Sequence, residues 1–340
     1  MARWLRTRAF PGPHRRTWTW DLRLMAQRAV PGQTSAMNPT NGVDGMDGVE
    51  ETGSMHGKGG SRAQGAEGRR GVADAYLERI GAARPARADA AALRELQLRH
   101  LMAVPFENLS VHLGEDIVLE EEKLLDKIVT ARRGGFCYEL NGAFAALLRE
   151  LGFRVTLLQA RAFGDGGRLG IPYDHVALRV ETDDGTGPWL ADVGFGDHAL
   201  HPLALDDRTE QDDPCGVFRF RGAPQGDLDL LRGGPRQFRL DLRPRVLADF
   251  RAGSWYHRTS PDSHFTQSLV CSRRTATGRV TLSGRTLVTT VRGERHKAEI
   301  GTDAEVLAAY RDHFGLRLDE LPEVRRIPEG VTRGTHPRNH

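Results

Sequence analysis

From Cys137 onward, apolar residues fall at Leu140, Phe144, Leu147, Leu148 and Leu151. That spacing follows one face of an α-helix and predicts a helix over Cys137–Leu151. Upstream, Ala75-Tyr76-Leu77 and Ile80 form a short apolar face. Ala88 to Met102 carries Leu93, Leu96, Leu98 and Leu101 as core candidates until Pro105 breaks the run. Glu120 to Thr130 reads as a further helix. From Phe153 the period changes to that of strands: Phe153–Ala162, His175–Glu181 and Trp189–Val193, the last two separated by the turn signal Asp183-Asp184-Gly185. Phe218–Arg221, Gln237–Leu242, Phe265–Ser272, Arg279–Leu282 and Arg285–Val291 are also strand-like, and Asp303–Phe314 is helical again. A helical first part followed by a strand-rich remainder predicts an α+β protein.

Residues 1–71 follow neither period. They are rich in Gly, Ser, Asn, Arg and Pro and read as a disordered extension, for which Met25, Met37, Met46 and Met55 offer later starts. They hold eleven basic and six acidic residues of the chain's 48 and 45, so the formal net charge of +3 is concentrated there. The body is close to neutral and gives no support for nucleic-acid binding. The chain of 340 residues is 39% hydrophobic and 27% charged, the balance of a soluble globular protein. No apolar run is long enough to span a membrane, and no secretory core is present. The three cysteines, Cys137, Cys215 and Cys271, make no disulfide framework or CxxC metal site; they fit a reducing, cytoplasmic setting and predict no metal.

One of those cysteines stands apart. Cys137 follows Gly134-Gly135-Phe136 and opens the predicted helix, where unpaired backbone N–H groups and the helix dipole favour an anion and hence a nucleophilic thiolate. The other reading is a buried, inert thiol. A nucleophile needs a base and a group to orient that base. His175 opens a strand with Val176, Leu178 and Val180 on its opposite face. Asp192 is a carboxylate within the apolar strand Trp189–Val193, before Gly194-Phe195-Gly196. A short turn between those strands can set Asp192 beside His175; otherwise His175 is a structural histidine and Asp192 a cap for the glycine turn. Cys215 and Cys271 lack a helix-start context and read as incidental thiols.

Several segments together resemble the arylamine N-acetyltransferase family: Pro105-Phe-Glu-Asn-Leu109, Arg133-Gly-Gly-Phe-Cys-Tyr-Glu-Leu-Asn141, Asp174-His-Val-Ala-Leu178, Asp192-Val-Gly-Phe-Gly196 and Ser260-Pro-Asp-Ser-His-Phe265. The resemblance runs from about Val72 to Asp319 in the family's order. It implies a helical bundle over residues 72–152, a β-barrel over 153–275 and a C-terminal α/β lid over 276–328, with a tail over 329–340. The catalytic core it implies is of the cysteine-protease and transglutaminase type. It also implies a triad of Cys137, His175 and Asp192, acetyl-CoA as donor, and a small aromatic amine or hydrazine as acceptor, with a ping-pong reaction through acetyl-cysteine. Phe106 and Phe195 match positions that line the acceptor pocket. Arg133 and Glu107 match a buried ion pair pinning the glycine turn, with Asn108 as further structural support. The backbone N–H of Cys137 is the natural first oxyanion donor. No Walker or GxGxxG loop is present, and the glycine-rich Gly164–Gly170 reads as a β-loop.

Other readings share these residues. An ansamycin-type amide synthase has the same triad and takes a carrier-bound acyl donor. A thiol hydrolase or transglutaminase-like protein, or a non-catalytic binding module, belongs to a different class. Nothing in the sequence fixes the oligomeric state.

Overall fold

The computed structural model describes residues 71–324. The extension and the tail read from the sequence fall outside this range, apart from Gly71 at its edge. Helix α1 covers residues 71–80. Helix α2 (Ala90–Ala103) is opened by the Asp89 carboxylate, which accepts from the Ala92 N–H at 2.8 Å. It closes at Val104, held extended before Pro105. Then follow β1 (Phe106–Glu107), α3 (Leu109–Leu113), and α4 (Glu121–Leu125), which runs into a π-helical turn over Asp126–Thr130.

Helix α5 (Cys137–Glu150) is buried along nearly its whole circumference, not on one face as its leucine spacing alone predicts. Its other sides are built from Gly142, Ala143, Ala145 and Ala146, small enough for neighbours to approach. A Cβ on Gly142 would lie 2.5 Å from Leu124 Cδ1. A helix apolar all round belongs at the centre of a core.

Strands β2 (Arg154–Ala162), β3 (His175–Glu181), β4 (Trp189–Ala191), β5 (Leu203–Ala204), β6 (Gln211–Asp213), β7 (Gly216–Gly222), β8 (Leu228–Arg232) and β9 (Arg236–Arg245) form one antiparallel sheet. The spatial order is β5-β4-β3-β2-β9-β8-β7-β6. The two edges nearly close into a barrel. The Gln211 side-chain amide accepts from the Ala204 N–H at 2.7 Å and donates to the Ala204 carbonyl at 2.9 Å, so a side chain bridges β6 and β5. Alternation along β3 divides its residues between two cores. Val176, Leu178 and Val180 join α5, while Ala177 faces the barrel interior with Leu158, Phe218 and Phe238.

A second sheet has the order β1-β10-β11-β12-β13, with β10 (Cys271–Thr275), β11 (Gly278–Ser283), β12 (Thr286–Val291) and β13 (Glu294–Glu299). It packs against α8 (Asp303–Phe314) through Val280, Leu282, Val306 and Tyr310. Strand β10 thus pairs within this sheet although its residues precede 276, and β1 pairs with it through Phe106↔Ser272 and Glu107↔Cys271. The segment Phe265–Ser272, read from sequence as one strand, is instead split. Ser263 caps α7 (His264–Gln267) by accepting from the Phe265 N–H, and the strand begins only at Cys271. Helix α6 (Arg251–Thr259) precedes it. Phe250 and Phe265 pack into the helical core beside α5.

Candidate active site

Cys137 occupies the first turn of α5. Phe136 at the N-cap provides no side-chain hydrogen bond to that turn, so the positive end of the helix lies at the thiol. The glycines before it are required by close packing. A Cβ on Gly134 would lie 2.0 Å from the Pro105 carbonyl oxygen, and one on Gly135 would lie 2.6 Å from Glu139 Oε2. Glu139 fills that space to accept from the Phe136 N–H at 3.2 Å and to pair with Lys127 at 2.6 Å.

The antiparallel pairing of β3 with β4, with Leu178 opposite Ala191, returns the end of β4 to the start of β3. Asp192 lies just past β4, not inside it. Its Oδ2 is 2.6 Å from His175 Nε2. Its Oδ1 accepts from the N–H groups of Gly194 at 2.8 Å and Phe195 at 3.1 Å, and from Asn141 Nδ2 at 2.9 Å. The two sequence readings of Asp192, partner of His175 and cap of the glycine turn, therefore hold together, one on each oxygen. His175 hydrogen-bonds Cys137 on its other side. With Nε2 committed to Asp192, Nδ1 is the nitrogen left for the thiol. Cys137, His175 and Asp192 are all buried.

Burial alone would disfavour charge on both partners. For His175 the Asp192 charge and hydrogen bond, with Cys137 on the other side, outweigh burial and raise the imidazole to about 10. For Asp192 burial is likewise outweighed, first by His175 and then by His198 and Asn141, so the carboxyl is held down to about 2. The imidazolium–carboxylate pair is thus the stable form at neutral pH.

Asn141 is the joint of this site. From α5 it donates to the Val176 carbonyl at 2.7 Å and to Asp192, and it accepts from the Val193 N–H at 2.9 Å. Gly194 lets the turn close on the helix: a Cβ there would lie 2.7 Å from Cys137 Cα. From α2, Gln97 accepts from the Asp192 N–H at 3.2 Å. Behind His175, the Asp174 carboxylate accepts from the Ala162 N–H at 2.9 Å and meets His257 Nε2 at 2.9 Å; His257 Nδ1 lies 3.3 Å from Ser263 Oγ. The Asp174 carbonyl lies 3.9 Å from Cys137 Sγ and accepts from the Tyr138 hydroxyl at 3.0 Å. Gln97 and His257 escaped the sequence reading, since a single polar residue in an amphipathic segment looks like a solvent position. Asp174 and Ser263 lie in segments singled out there, but without a role.

The remaining predicted residues fall around this frame. Phe195 packs edge-on to His175, ring centroids 5.1 Å apart, and Phe106 lies 6.0 Å from Phe265. Arg133 pairs with Glu107 at 3.1 Å and with Glu115 at 3.1 Å. Glu107 also accepts from the Leu109 N–H. Asn108 donates to the carbonyls of Phe265 and Ser268 at 2.9 and 2.7 Å and accepts from the Val270 N–H, tying β1 to the segment before β10. Glu107→Gln is expected to destabilise the protein by about 2 kcal/mol, because it leaves a mostly buried guanidinium with only its outer partner, Glu115. Urea unfolding would check this, and a loss below about 0.5 kcal/mol would contradict it.

Cys271 is buried and Cys215 partly so. Burial pushes the Cys215 thiol up and that of Cys271 well up. No group of three or more His, Cys, Asp or Glu side chains suited to a metal occurs among the described residues. The glycine-rich Gly164–Gly170 is a hairpin loop, with Phe163 bridged to Leu169.

A thiol at a helix start, facing an imidazole–carboxylate pair on an adjoining antiparallel barrel, defines the cysteine-protease and transglutaminase class of catalytic core. A family model described as N-acetyltransferase matches residues 89–323. Arylamine N-acetyltransferase from Escherichia coli is 33% identical over 72% of this chain and 89% of its own length, and that from Mycolicibacterium smegmatis is 34% identical over 72% and 92%. The solved arylamine N-acetyltransferase of Mycobacterium marinum superposes with a TM-score of 0.66 at 32% identity, over 72% of this chain and 92% of that one; the same protein has been solved in complex with CoA. The chain belongs to the arylamine N-acetyltransferase family and is an acyltransferase enzyme.

Proposed function

We propose that this enzyme transfers the acetyl group of acetyl-CoA to the nitrogen of an arylamine or hydrazine by a ping-pong reaction, with Cys137, His175 and Asp192 as its catalytic residues. The observation that carries this reading is His175 held between the Asp192 carboxylate and the Cys137 thiol. The CoA complex of the M. marinum relative supports the choice of donor. In the first half-reaction the Cys137 proton passes to His175 and the sulfur attacks the thioester carbonyl. The tetrahedral oxyanion collapses by breaking the bond to the CoA sulfur, which leaves with the proton from His175. In the second half-reaction the amine nitrogen attacks acetyl-Cys137, His175 takes the nitrogen's proton, and the Cys137 sulfur departs. Asp192 fixes the imidazole and balances its charge in both. The N–H of Cys137 at the start of α5 is the oxyanion donor.

Arylamines suit this site because their free-base form dominates at neutral pH and can attack directly. Phe106 and Phe195 form apolar walls of the acceptor pocket and limit competing hydrolysis of the acetyl-cysteine. Arg133, Glu107 and Asn108 hold the frame without touching substrate. The division into helical bundle, barrel and α/β lid is part of the same proposal, with β10 assigned to the lid sheet. So is a cytoplasmic setting; no described helix is long and apolar enough to cross a membrane.

Intact-mass measurement after mixing with acetyl-CoA tests the reading. One acetyl group on the wild type, absent from Cys137→Ala and discharged by 4-aminosalicylate or a hydrazine, is expected. An unmodified wild type would reject acetyl-CoA as donor and point to a carrier-bound acyl group.

A further inference from the structure

Immediately beyond Phe195, the chain meets an excess of positive charge. Asp197 Oδ2 pairs with Arg232 at 2.6 Å, and its Oδ1 pairs with Arg274 at 3.0 Å and Arg279 at 3.4 Å. Three guanidinium groups thus share one carboxylate. Their other partners are neutral: Arg232 donates to the Cys215 carbonyl, Arg274 to the His198 carbonyl at 2.9 Å, and Arg279 to the Gly196 carbonyl and to Ser272 Oγ at 3.0 Å. Carbonyls satisfy hydrogen bonds without cancelling charge. Arg279 Nε is buried with no hydrogen-bond partner. Burial, followed by the nearby charge of Arg274, lowers the Arg279 guanidinium to about 10, as expected for a cluster short of negative charge. The side chains of Arg232, Arg274 and Arg279 keep 24%, 11% and 13% exposure, so the cluster is partly desolvated yet reachable.

The location relates this charge to the proposed reaction. Phe195 touches His175 on one side, and the next two residues, Gly196 and Asp197, are those the arginines grip. An arylamine with its nitrogen at Cys137 extends a para substituent by one ring, the same span by which the Phe195 ring separates His175 from the cluster. The phosphates of CoA lie at the far end of its pantetheine arm.

We propose that Arg232, Arg274 and Arg279 form an anion site that selects acceptors carrying a carboxylate on the ring, so that aminobenzoate-type amines are preferred over neutral anilines. This rests on the acetyl-transfer reading. Planar guanidinium groups match a carboxylate geometrically, and the low-polarity surroundings strengthen the pairing. Asp197 is then the internal anion that holds the arginines together and competes with the acceptor.

The test compares kcat/KM for 4-aminobenzoate and 4-methoxyaniline at saturating acetyl-CoA. The wild type is expected to favour the carboxylate, and Arg274→Gln to lower the ratio of the two values by roughly tenfold, the size of one charge-assisted hydrogen bond. Asp197→Asn is expected to raise the ratio. If Arg274→Gln does not fold, Arg274→Lys, which keeps the charge but loses the fork, should lower the ratio by a smaller factor. An equal loss for both acceptors would make the cluster a clamp between the two sheets and overturn the proposal. A rise in KM for acetyl-CoA with an unchanged ratio would assign it to the donor's phosphates and overturn it likewise. Acetylation of Cys137 in the mass measurement, seen together with an unmoved ratio, separates failure of this proposal from failure of the underlying reaction.

Discussion

Cys137→Ser is expected to lower kcat/KM for acetyl transfer by about 10⁴-fold or more while leaving the fold intact. The serine oxygen would occupy the same place at the start of α5, beside His175, and its smaller size asks nothing of the neighbours. What it lacks is the acidity of a thiol. His175 is raised to about 10 by Asp192 and by the adjacent sulfur, and is therefore suited to hold a proton taken from a thiol. A hydroxyl gives up that proton only in the transition state. Single-turnover assays with acetyl-CoA should show no rapid CoA release, and melting temperature should stay within about 2 °C of wild type, since no large group is lost from the core. Retention of more than a few per cent of the wild-type rate would remove Cys137 from the nucleophile's role.

The residues proposed for this chemistry were legible in the sequence because each breaks its local pattern. Cys137 follows two glycines and begins a helical period; His175 and Asp192 are polar residues against apolar strands. The joints between them were not legible. Asn141 and Gln97 lie on helices whose polar positions are, by pattern alone, assigned to solvent, yet both are buried and hold the Asp192 segment. Helix α5 read as one-sided because its leucines mark one face, whereas its glycine and alanines pack just as closely on the others. Strand β13 shows no apolar alternation since all six residues are exposed, so its pairing with β12 leaves no trace in the pattern. Ser263 turned a strand-like run into a capped helical turn, a local hydrogen bond overriding β-propensity. The arginine cluster on Asp197 draws its members from the loop after β4 and from β8, β10 and β11, a grouping that only the tertiary fold creates.

Asp192→Asn is expected to lower kcat by about 10⁴-fold with the site geometry preserved, as a tautomer argument shows. Asp192 Oδ1 accepts from the N–H groups of Gly194 and Phe195, so the amide oxygen of an asparagine must take that side. Its NH2 group then faces His175 Nε2, which must become an acceptor. The imidazole proton moves to Nδ1, the nitrogen facing Cys137, and that nitrogen can no longer receive the thiol proton. The opposite rotamer sets NH2 against two backbone donors and is worse. Stability should change in a pH-dependent way. His175, raised to about 10, stabilises the fold fully below the ordinary imidazole value near 6.5 and loses that contribution as pH rises through 10. Asp192, lowered to about 2, contributes fully above the ordinary carboxyl value near 3.9 and loses it as pH falls through 2. The gap in melting temperature between wild type and Asp192→Asn should therefore be widest between about pH 4 and 6.5 and narrow by pH 10. Melts at pH 5, 7.5 and 10 alongside rate measurements decide the matter. A gap that does not vary with pH, together with a rate loss under tenfold, would leave Asp192 only its role as cap of the glycine turn.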